Sequence, residues 1–138
     1  MDYVCQTIRG VDVVCLMERE ATLHQGVDGF ARDMLRLVRE HGNSIVMDFG
    51  TVHYIDSAML MTLLGVLREL RSTGRELVLA GVKSDSLQST LSLSGVLRHV
   101  RQYGTIEEAI AGSAMVYQVE NSDLQVHEDR RWRVRPGS

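Results

Sequence analysis

The fold is decided by the stretch SIVMDFGTVHYIDSAMLMTLLGVLRELRSTGRELVLAGV (residues 44–82), which has the pattern of a strand, a helix and a second strand. The apolar run at 44–49, bounded by Asn and Gly, indicates a central strand covered on both faces, and the run at 76–82 indicates another. Between them the spacing of apolar residues predicts a helix over 57–73, ended by Gly74. Two strands joined in this way are expected to lie parallel, with a right-handed crossover.

Upstream of this unit the sequence predicts a hairpin and a helix. The β-rich runs YVCQTI (3–8) and VDVVCLM (11–17) are separated only by Arg9 and Gly10, which is typical of two antiparallel strands. Residues 26–41 carry apolar side chains at helical spacing and charged side chains on the opposite side. We therefore expect an amphipathic helix before the central strand.

Downstream, the sequence predicts two further helices and an edge strand. Ser84 or Asp85 can cap a helix, and HVRQY (99–103) has the length and composition of a short edge strand. The sequence TIEEAI, which starts at Thr105, is a capping box and predicts a last short helix. The order ββαβαβαβα then predicts one α/β domain over residues 1–112, with a mixed four- to five-stranded sheet and about four helices.

Residues 113–138 differ in composition from the rest of the chain. Four acidic residues precede the sequence RRWRVRPGS, and few apolar positions are periodic. We interpret this segment as a charged C-terminal extension. A disordered tail and an additional strand in MVYQV (115–119) are both compatible with it.

Composition excludes some classes of function. The formal net charge of −3 provides no basic field for nucleic acid, so no direct nucleic-acid partner is expected. The N-terminus has no signal-peptide pattern and no stretch has the length of a membrane span, so we expect a cytoplasmic protein without a membrane partner. Cys5 and Cys15 fall in adjacent predicted strands, where two thiols are expected to be packing residues. No metal or cofactor is expected.

The predicted helix at 57–73 is apolar on nearly all sides over its first two turns. Its expected core face consists of Leu60, Leu63, Leu64, Leu67 and Leu70. Outside that face lie Ala58, Met61, Gly65 and Val66, and charges begin only at Arg68. This part of the helix is either covered by neighbouring loops or presented to a partner, and periodicity does not distinguish the two.

Ser57 has a structural and a functional interpretation. Serine at a helix start commonly caps free backbone amides, and that interpretation is the simpler one. Asp56 can provide the cap by itself, however, which would leave the Ser57 hydroxyl pointing outward. A phosphate at this position would be compatible with the helix N-terminus but would place about −1.5 to −2 charges beside an apolar surface.

The combined sequence resembles a known family. The stretches VMDFGTVHYIDSAMLMTLLGVLRELRSTGRELVLAGV and LSLSGVLRHVRQYGTIEEAIA resemble the STAS domain of bacterial anti-sigma-factor antagonists. The likeness covers roughly residues 3–112 and includes Asp48 at the end of the central strand and the pair Asp56–Ser57. A STAS-like fold is therefore expected.

The resemblance also implies a mechanism of partner switching. It implies that Ser57 is phosphorylated by a kinase-type anti-sigma factor, that a PP2C-type phosphatase reverses this, and that the dephosphorylated form binds the kinase-like protein. Asp56 would cap the helix and organise the site. The expected contact surface consists of Gly50, Thr51, His53, Ala58, Met61, Thr62 and Gly65. The sequence departs from the family pattern after the serine, where Ala58 and Met59 replace a small hydroxyl residue and a glycine.

Two alternatives remain open at this level. The chain could be a STAS scaffold or binding subunit of a larger complex without a switch, and it could form a homodimer. A serine hydrolase would use Ser57 with His53 and either Asp48 or Asp56, but the sequence has no GxSxG elbow and no glycine-rich oxyanion loop. A non-enzymatic regulatory protein is the preferred interpretation.

Overall fold

Seven strands and four helices make up the part of the chain that the structure describes. The structure is a computed structural model and describes the backbone of residues 1–120 and the side chains of residues 1–113. The strands are β1 (Tyr3–Ile8), β2 (Val11–Leu16), β3 (Glu20–Ala21), β4 (Ser44–Asp48), β5 (Tyr54–Ile55), β6 (Leu77–Ala80) and β7 (Arg101–Tyr103). The helices are α1 (Val27–His41), α2 (Ser57–Arg71), α3 (Asp85–Leu93) and α4 (Ile106–Glu120).

The main sheet has five strands in the order β1-β2-β4-β6-β7. The β1–β2 pair is antiparallel, whereas every other neighbouring pair is parallel. This confirms the predicted mixed sheet with an N-terminal hairpin and four helices. A second sheet of two short parallel strands, β3 and β5, was not predicted, because two residues are too few to show a period.

Arg9 and Gly10 form the tight turn of the hairpin. Their φ angles are +53° and +75°, as a two-residue turn with the twist of the flanking strands requires. Ile8 and Val11 are directly opposite each other on either side of this turn. The register of the hairpin is therefore fixed from the turn outward.

Two apolar clusters cover the two faces of the main sheet. Helices α1, α2 and α3 pack on one face, where they bury side chains such as Ile45, Met47, Leu77 and Leu79. Helix α4 packs on the other face, where Val46, Val78, Ala109 and Ile110 are buried. Successive side chains of a strand point to opposite faces, so a central strand covered on both sides is apolar at every position, as the sequence predicted for β4 and β6.

The two cysteines lie on opposite faces of the sheet. Cys5 belongs to the cluster under α1 and α2, and Cys15 packs against the cluster under α4. Burial raises the pKa of the Cys5 thiol to about 12 and that of the Cys15 thiol to about 11. Both are free thiols and act as packing residues.

The buried side of α2 differs from the predicted core face. The buried residues of this helix are Met59, Thr62, Leu63, Val66, Leu67 and Leu70. Leu60 and Leu64 are only half-buried, so the core face is rotated relative to the predicted one. The first turns of α2 are apolar on nearly all sides, and only the contacts with α1 and the sheet select which side is buried.

The C-terminal part of the described chain is helical. Thr105 caps the start of α4, because the Glu108 amide donates to the Thr105 hydroxyl at 3.1 Å. That hydroxyl in turn donates to the Glu108 carboxylate at 3.0 Å, in place of the backbone N–H that a capping box would use. Residues 115–119, considered above as a strand, belong to α4. The domain boundary at residue 112 stays a prediction, and residues 121–138 of the extension lie outside the described part.

A buried carboxylate connects the hairpin with the end of α1. Asp12 on β2 is 1% exposed, and its carboxylate accepts a hydrogen bond from the Thr7 hydroxyl at 2.6 Å. It also lies 3.0 Å from His41 Nδ1 and accepts from the Asn43 side-chain amide at 3.4 Å. These contacts join β1, β2 and the α1–β4 turn at one end of the sheet.

We predict that Asp12→Ala lowers the free energy of unfolding by about 2–4 kcal/mol, because it leaves the buried Thr7 hydroxyl without its acceptor and removes the contacts of the carboxylate with His41 and Asn43. Urea denaturation followed by circular dichroism measures the change. Glu40→Ala is the matched control, since Glu40 is an exposed acid at the end of α1. Equal unfolding midpoints for the two variants would contradict the assignment.

Candidate functional site

The candidate site lies where the parallel strands end and α2 begins. In parallel strands joined by helices, the carboxyl ends of the strands and the N-termini of the following helices share one edge of the sheet. Strand β4 ends at Asp48, and the segment 49–56 leads from there to the first residue of α2, Ser57. This segment includes β5, which pairs with β3.

Asp56 organises the start of α2 through both carboxylate oxygens. Oδ1 accepts the backbone N–H of Met59 at 3.0 Å, which is an N-cap bond, and Oδ2 accepts the backbone N–H of Leu23 at 2.8 Å. Partial shielding from water favours the neutral carboxyl, but the N–H groups of Leu23 and Met59 outweigh it, so the pKa of Asp56 lies below its ordinary value. The charged carboxylate therefore holds the segment after β3 against α2.

Ser57 is the first residue of α2 and is exposed. Since Asp56 provides the N-cap bond, Ser57 is not needed for capping. Within the described part of the chain, no group is hydrogen-bonded to the Ser57 hydroxyl. Its oxygen is available to a second molecule at the positive end of the α2 dipole.

Three large apolar side chains near this position are exposed to solvent. Leu23 is 59% exposed and its backbone is tied to Asp56, Tyr54 is 50% exposed on β5, and Met61 is 67% exposed one turn after Ser57. Residues four apart on a helix lie on the same side, so Ser57 and Met61 share one side of α2. The serine is therefore accompanied by exposed apolar surface.

Backbone bonds hold the segment between β4 and α2 in place. The His53 N–H donates to the Arg19 carbonyl at 2.7 Å, and the Ser84 hydroxyl donates to the His53 carbonyl at 3.2 Å. Ser84 is also the N-cap of α3. These bonds connect three segments at the same edge, and they give the surface around Ser57 a fixed shape.

Asp48 shapes the turn after β4. Its Oδ1 accepts the Gly50 N–H at 3.0 Å, and Gly81, at φ +71°, follows β6 directly beside it. A Cβ atom at Gly81 would lie 2.6 Å from Asp48 Oδ1, so a side chain there is excluded. The Asp48 carboxylate, at the end of β4, therefore holds the first residues of the following loop through the Gly50 N–H.

The structure separates the predicted contact residues into three groups by their exposure. Thr51, His53 and Met61 are exposed. Gly50, Ala58 and Gly65 are half-buried, and a Cβ atom at Gly65 would meet no atom within 4 Å, so open space adjoins that part of α2. Thr62 is 9% exposed and its hydroxyl donates to the Ala58 carbonyl at 2.9 Å, so this residue faces the interior instead of a partner.

The sequence pattern did not predict that Leu23 and Tyr54 lie beside Ser57. Both are brought to the site by long-range contacts, namely the bond between the Leu23 amide and Asp56 and the pairing of Glu20 with Tyr54. The sequence carries only a weak signal for them, an apolar residue in a polar segment. Their position depends on β3 and β5, which are too short to predict.

A family model for the STAS domain matches residues 6–109, which is most of the chain. The chain belongs to the STAS family. Proteins of this family are typically binding and regulatory modules without enzymatic activity, and this domain has the expected four helices and five-stranded sheet.

Several solved structures resemble this STAS domain. A Thermotoga maritima protein assigned as an anti-sigma factor antagonist is 25% identical, with a TM-score of 0.63 over 73% of this chain and 86% of that one. The anti-sigma factor antagonist SpoIIAA matches in its unphosphorylated form, with 23% identity, a TM-score of 0.65 and coverage of 75% and 88%. The phosphorylated form of SpoIIAA from Bacillus matches with 24% identity, a TM-score of 0.59 and coverage of 75% and 91%.

Transport proteins also contain this fold. A sulfate transporter family protein from Wolinella succinogenes is 21% identical, with a TM-score of 0.65 over 79% of this chain and 88% of that one. Similarity at this level of identity shows the fold alone. In the described part of this STAS domain, no helix combines the length and apolar character needed to cross a bilayer.

The hydrolase interpretation gains no support from the site. Among residues 1–113 neither His53 nor a carboxylate is hydrogen-bonded to Ser57, and the Asp56 carboxylate is engaged with two backbone amides. The same residues contain no group of three His, Cys, Asp or Glu side chains placed to hold a metal ion. The arrangement is suited to presenting a hydroxyl on a surface.

We predict that Asp56→Asn lowers the free energy of unfolding at pH 7 by about 1 kcal/mol, because the neutral side chain cannot replace both charge-assisted bonds. A lowered pKa in the folded state stabilises the fold above the unfolded-state value of about 3.9, and this stabilisation is lost as the pH falls through the folded-state pKa. The difference between wild type and variant should therefore be constant above about pH 5 and shrink below about pH 4.

Urea unfolding at several pH values measures this difference. Asp85→Asn is the control, because Asp85 lies exposed in the first turn of α3, whose N-cap is Ser84. A gap between wild type and Asp56→Asn that is unchanged at pH 3 would show that the Asp56 charge does not provide the stabilisation.

Proposed function

We propose that this STAS domain is an anti-sigma-factor antagonist whose binding to a kinase-type anti-sigma factor is switched by reversible phosphorylation of Ser57. The observation that carries the proposal is the exposed Ser57 hydroxyl, freed from capping by Asp56 and accompanied by exposed apolar side chains. A PP2C-type phosphatase would restore the binding form, and the complex would act in the cytoplasm of a bacterium.

The charge at Ser57 provides a physical basis for the switch. A phosphate at the first residue of α2 is compatible with the fold, because the helix N-terminus favours an anion. The neighbouring Asp56 carboxylate is already negative, so the added group would concentrate about −2.5 to −3 charges at one edge of the apolar surface. A partner that buries Met61 and Leu23 would have to desolvate these charges, and its affinity would fall.

The relatives are consistent with this role. Three of the similar structures are of SpoIIAA or of a protein assigned as an anti-sigma factor antagonist, and SpoIIAA is known in a phosphorylated and an unphosphorylated form. Both proteins share the fold of this domain over about three quarters of the chain, 73% and 75% respectively. These likenesses support the class of function, and the exposed serine supports the site.

The proposed contact surface combines predicted and newly found residues. It consists of Ser57, Ala58, Met61 and Gly65 on α2, of Gly50, Thr51 and His53 in the preceding loop, and of Leu23 and Tyr54 beside them. Met61 and Leu23 are flexible apolar side chains that can adapt to a partner surface. Thr62 supports the surface from the interior.

A second candidate is a binding module without a switch. The similarity to a sulfate transporter family protein favours it, as does the sequence after Ser57, where the half-buried Ala58 and the buried Met59 stand in place of a small hydroxyl residue and a glycine. In that case the same surface would bind constitutively. Intact mass and site mapping of the protein purified from its own cells with phosphatase inhibitors distinguish the two, because only the switch predicts a phosphate on Ser57.

We predict that Ser57→Asp weakens binding to the kinase-type anti-sigma factor by at least about tenfold, because a charge enters the contact surface. Ser57→Ala should bind constitutively, with the affinity of the unphosphorylated protein. Both variants should unfold at nearly the same urea concentration as the wild type, since Asp56 keeps the N-cap. Isothermal titration calorimetry measures the affinities.

Ser86→Asp is the matched control for this experiment, because Ser86 is an exposed serine in the first turn of α3. It should leave the affinity unchanged. The switch would be disproved by a Ser57→Asp protein that binds as tightly as wild type.

We also predict that Met61→Ser weakens the same complex by roughly fivefold or more, because an apolar side chain that is 67% exposed in the free domain becomes buried in the complex. Leu93→Ser is the control, since Leu93 is 89% exposed at the end of α3 and outside the proposed surface. Calorimetric titration of both variants gives the comparison. Equal affinities for the two variants would remove Met61 from the contact surface.

A further inference from the structure

The outward side of α1 carries a line of arginine side chains, which we call the arginine strip. Arg32, Arg36 and Arg39 are all exposed, and their spacing along the chain places them on one side of the helix. The buried residues of α1 lie on the opposite side, toward the core. The strip is about 10 Å long, since a helix rises about 1.5 Å per residue. Two helical turns of positive charge therefore face solvent.

Two of the three arginines lack an acidic partner among the described residues. Of the ion pairs found there, only Arg39–Glu69, at 3.6 Å, involves the strip. Asp28 lies one turn before Arg32 on the same helix, but its carboxylate accepts the N–H of the next residue at 3.0 Å. Within residues 1–113, the guanidinium groups of Arg32 and Arg36 therefore have no carboxylate to bind.

A shallow groove with an apolar centre lies along the strip. Its volume is about 320 Å³, and it is lined by Leu35 together with Arg32, Arg36, Arg39 and Glu40. Leu35 is half-buried, whereas the charged side chains around it are exposed. Guanidinium groups bind carboxylates through charge-assisted, often paired, hydrogen bonds. The groove is therefore suited to a protein segment in which carboxylates flank an apolar side chain.

The groove adjoins the surface around Ser57, because α1 lies beside α2. Both helices connect parallel strands and pack on the same face of the main sheet, so they run in the same direction. The Arg39–Glu69 ion pair shows which residues are level with each other. By the same offset Leu35 is level with Gly65, beside which there is open space.

The distances allow one partner to cover both Ser57 and the strip. Ser57 is level with Val27, so Arg32 lies about 8 Å and Arg36 about 14 Å further along the helix direction. Packed helix axes are about 8–10 Å apart. An interface of ordinary size covers about 800 Å² of each protein, which is roughly 30 Å across. A partner that binds over Ser57 and Met61 therefore reaches the arginines on α1.

The positive charge of the strip contrasts with the rest of the chain. The formal net charge is −3, and the described carboxylates near Ser57 include Asp56 and Glu20, which is paired with Tyr54. Opposite charges across an interface raise the association rate and fix the orientation of the partners, whereas like charges oppose binding. An acidic patch on a partner would therefore dock at the strip and not beside Asp56.

We propose that the contact surface for the anti-sigma factor extends from α2 onto α1, where the arginine strip binds an acidic segment of that partner and Leu35 receives an apolar side chain from it. This inference rests on the function proposed above. It also supplies a reason for the direction of the switch, because a phosphate on Ser57 would repel an acidic partner surface.

Stopped-flow association with the kinase-type anti-sigma factor tests this extension in the full chain. The variants are Arg32→Glu and Arg36→Glu, and the control is Arg98→Glu, which changes the net charge equally at an exposed position after α3. For each strip variant we expect the association rate constant to fall at least about fivefold at about 0.1 M salt and less than about twofold at about 1 M salt, because the Debye length decreases from about 10 Å to about 3 Å. The control should stay within about twofold of wild type at both salt concentrations.

Strip variants that associate as fast as Arg98→Glu would disprove the extension onto α1. A loss of equal size at both salt concentrations would also disprove it, because such a loss indicates a packing contact and not an acidic partner. Ser57→Asp, measured in parallel, separates this inference from the proposed function. If Ser57→Asp weakens the complex while the strip variants do not, only the extension is wrong, and if the wild type forms no complex, both proposals are wrong.

Discussion

The burial of β4 and β6 on both faces is the constraint on which this structure depends. Parallel strands cannot be joined by a short turn, so each must be followed by a crossing helix, and those helices supply the cover that the strands need. One consequence is geometric: strand ends and helix N-termini gather at one edge of the sheet. The segment from Asp48 to Ser57 lies at that edge because of the packing of the core.

Asp56 connects this framework with the exposed surface around Ser57. A single carboxylate caps α2 and holds the backbone of Leu23, so helix stability and the shape of the surface depend on the same charge. Because Asp56 provides the N-cap bond, the Ser57 side chain is not needed to cap the helix. A modified residue at this position can then change binding while the core stays intact, which is the property that a regulatory switch requires.

The two ends of the sheet differ in the contacts they contain. At the carboxyl edge, exposed apolar side chains, an exposed serine and a well-bonded loop are suited to reversible contact. At the opposite edge, Asp12 joins the hairpin to the end of α1 through buried polar contacts. The contacts that join the hairpin to α1 lie at the other end of the sheet from Ser57, so a charge added at Ser57 is remote from them.

The sequence by itself determined the order of the main elements and the hairpin at Arg9 and Gly10, and it offered Asp56 and Ser57 as alternative caps of α2. These features depend on local periodicity, turn geometry and capping, which neighbouring residues encode. Only the tertiary structure decided that Thr62 faces inward, that Cys5 and Cys15 lie on opposite faces, and that Leu23 and Tyr54 join the site. The physical reason is that α2 begins with apolar residues on every side, and β3 and β5 have two residues each, so contacts distant in sequence select their orientation.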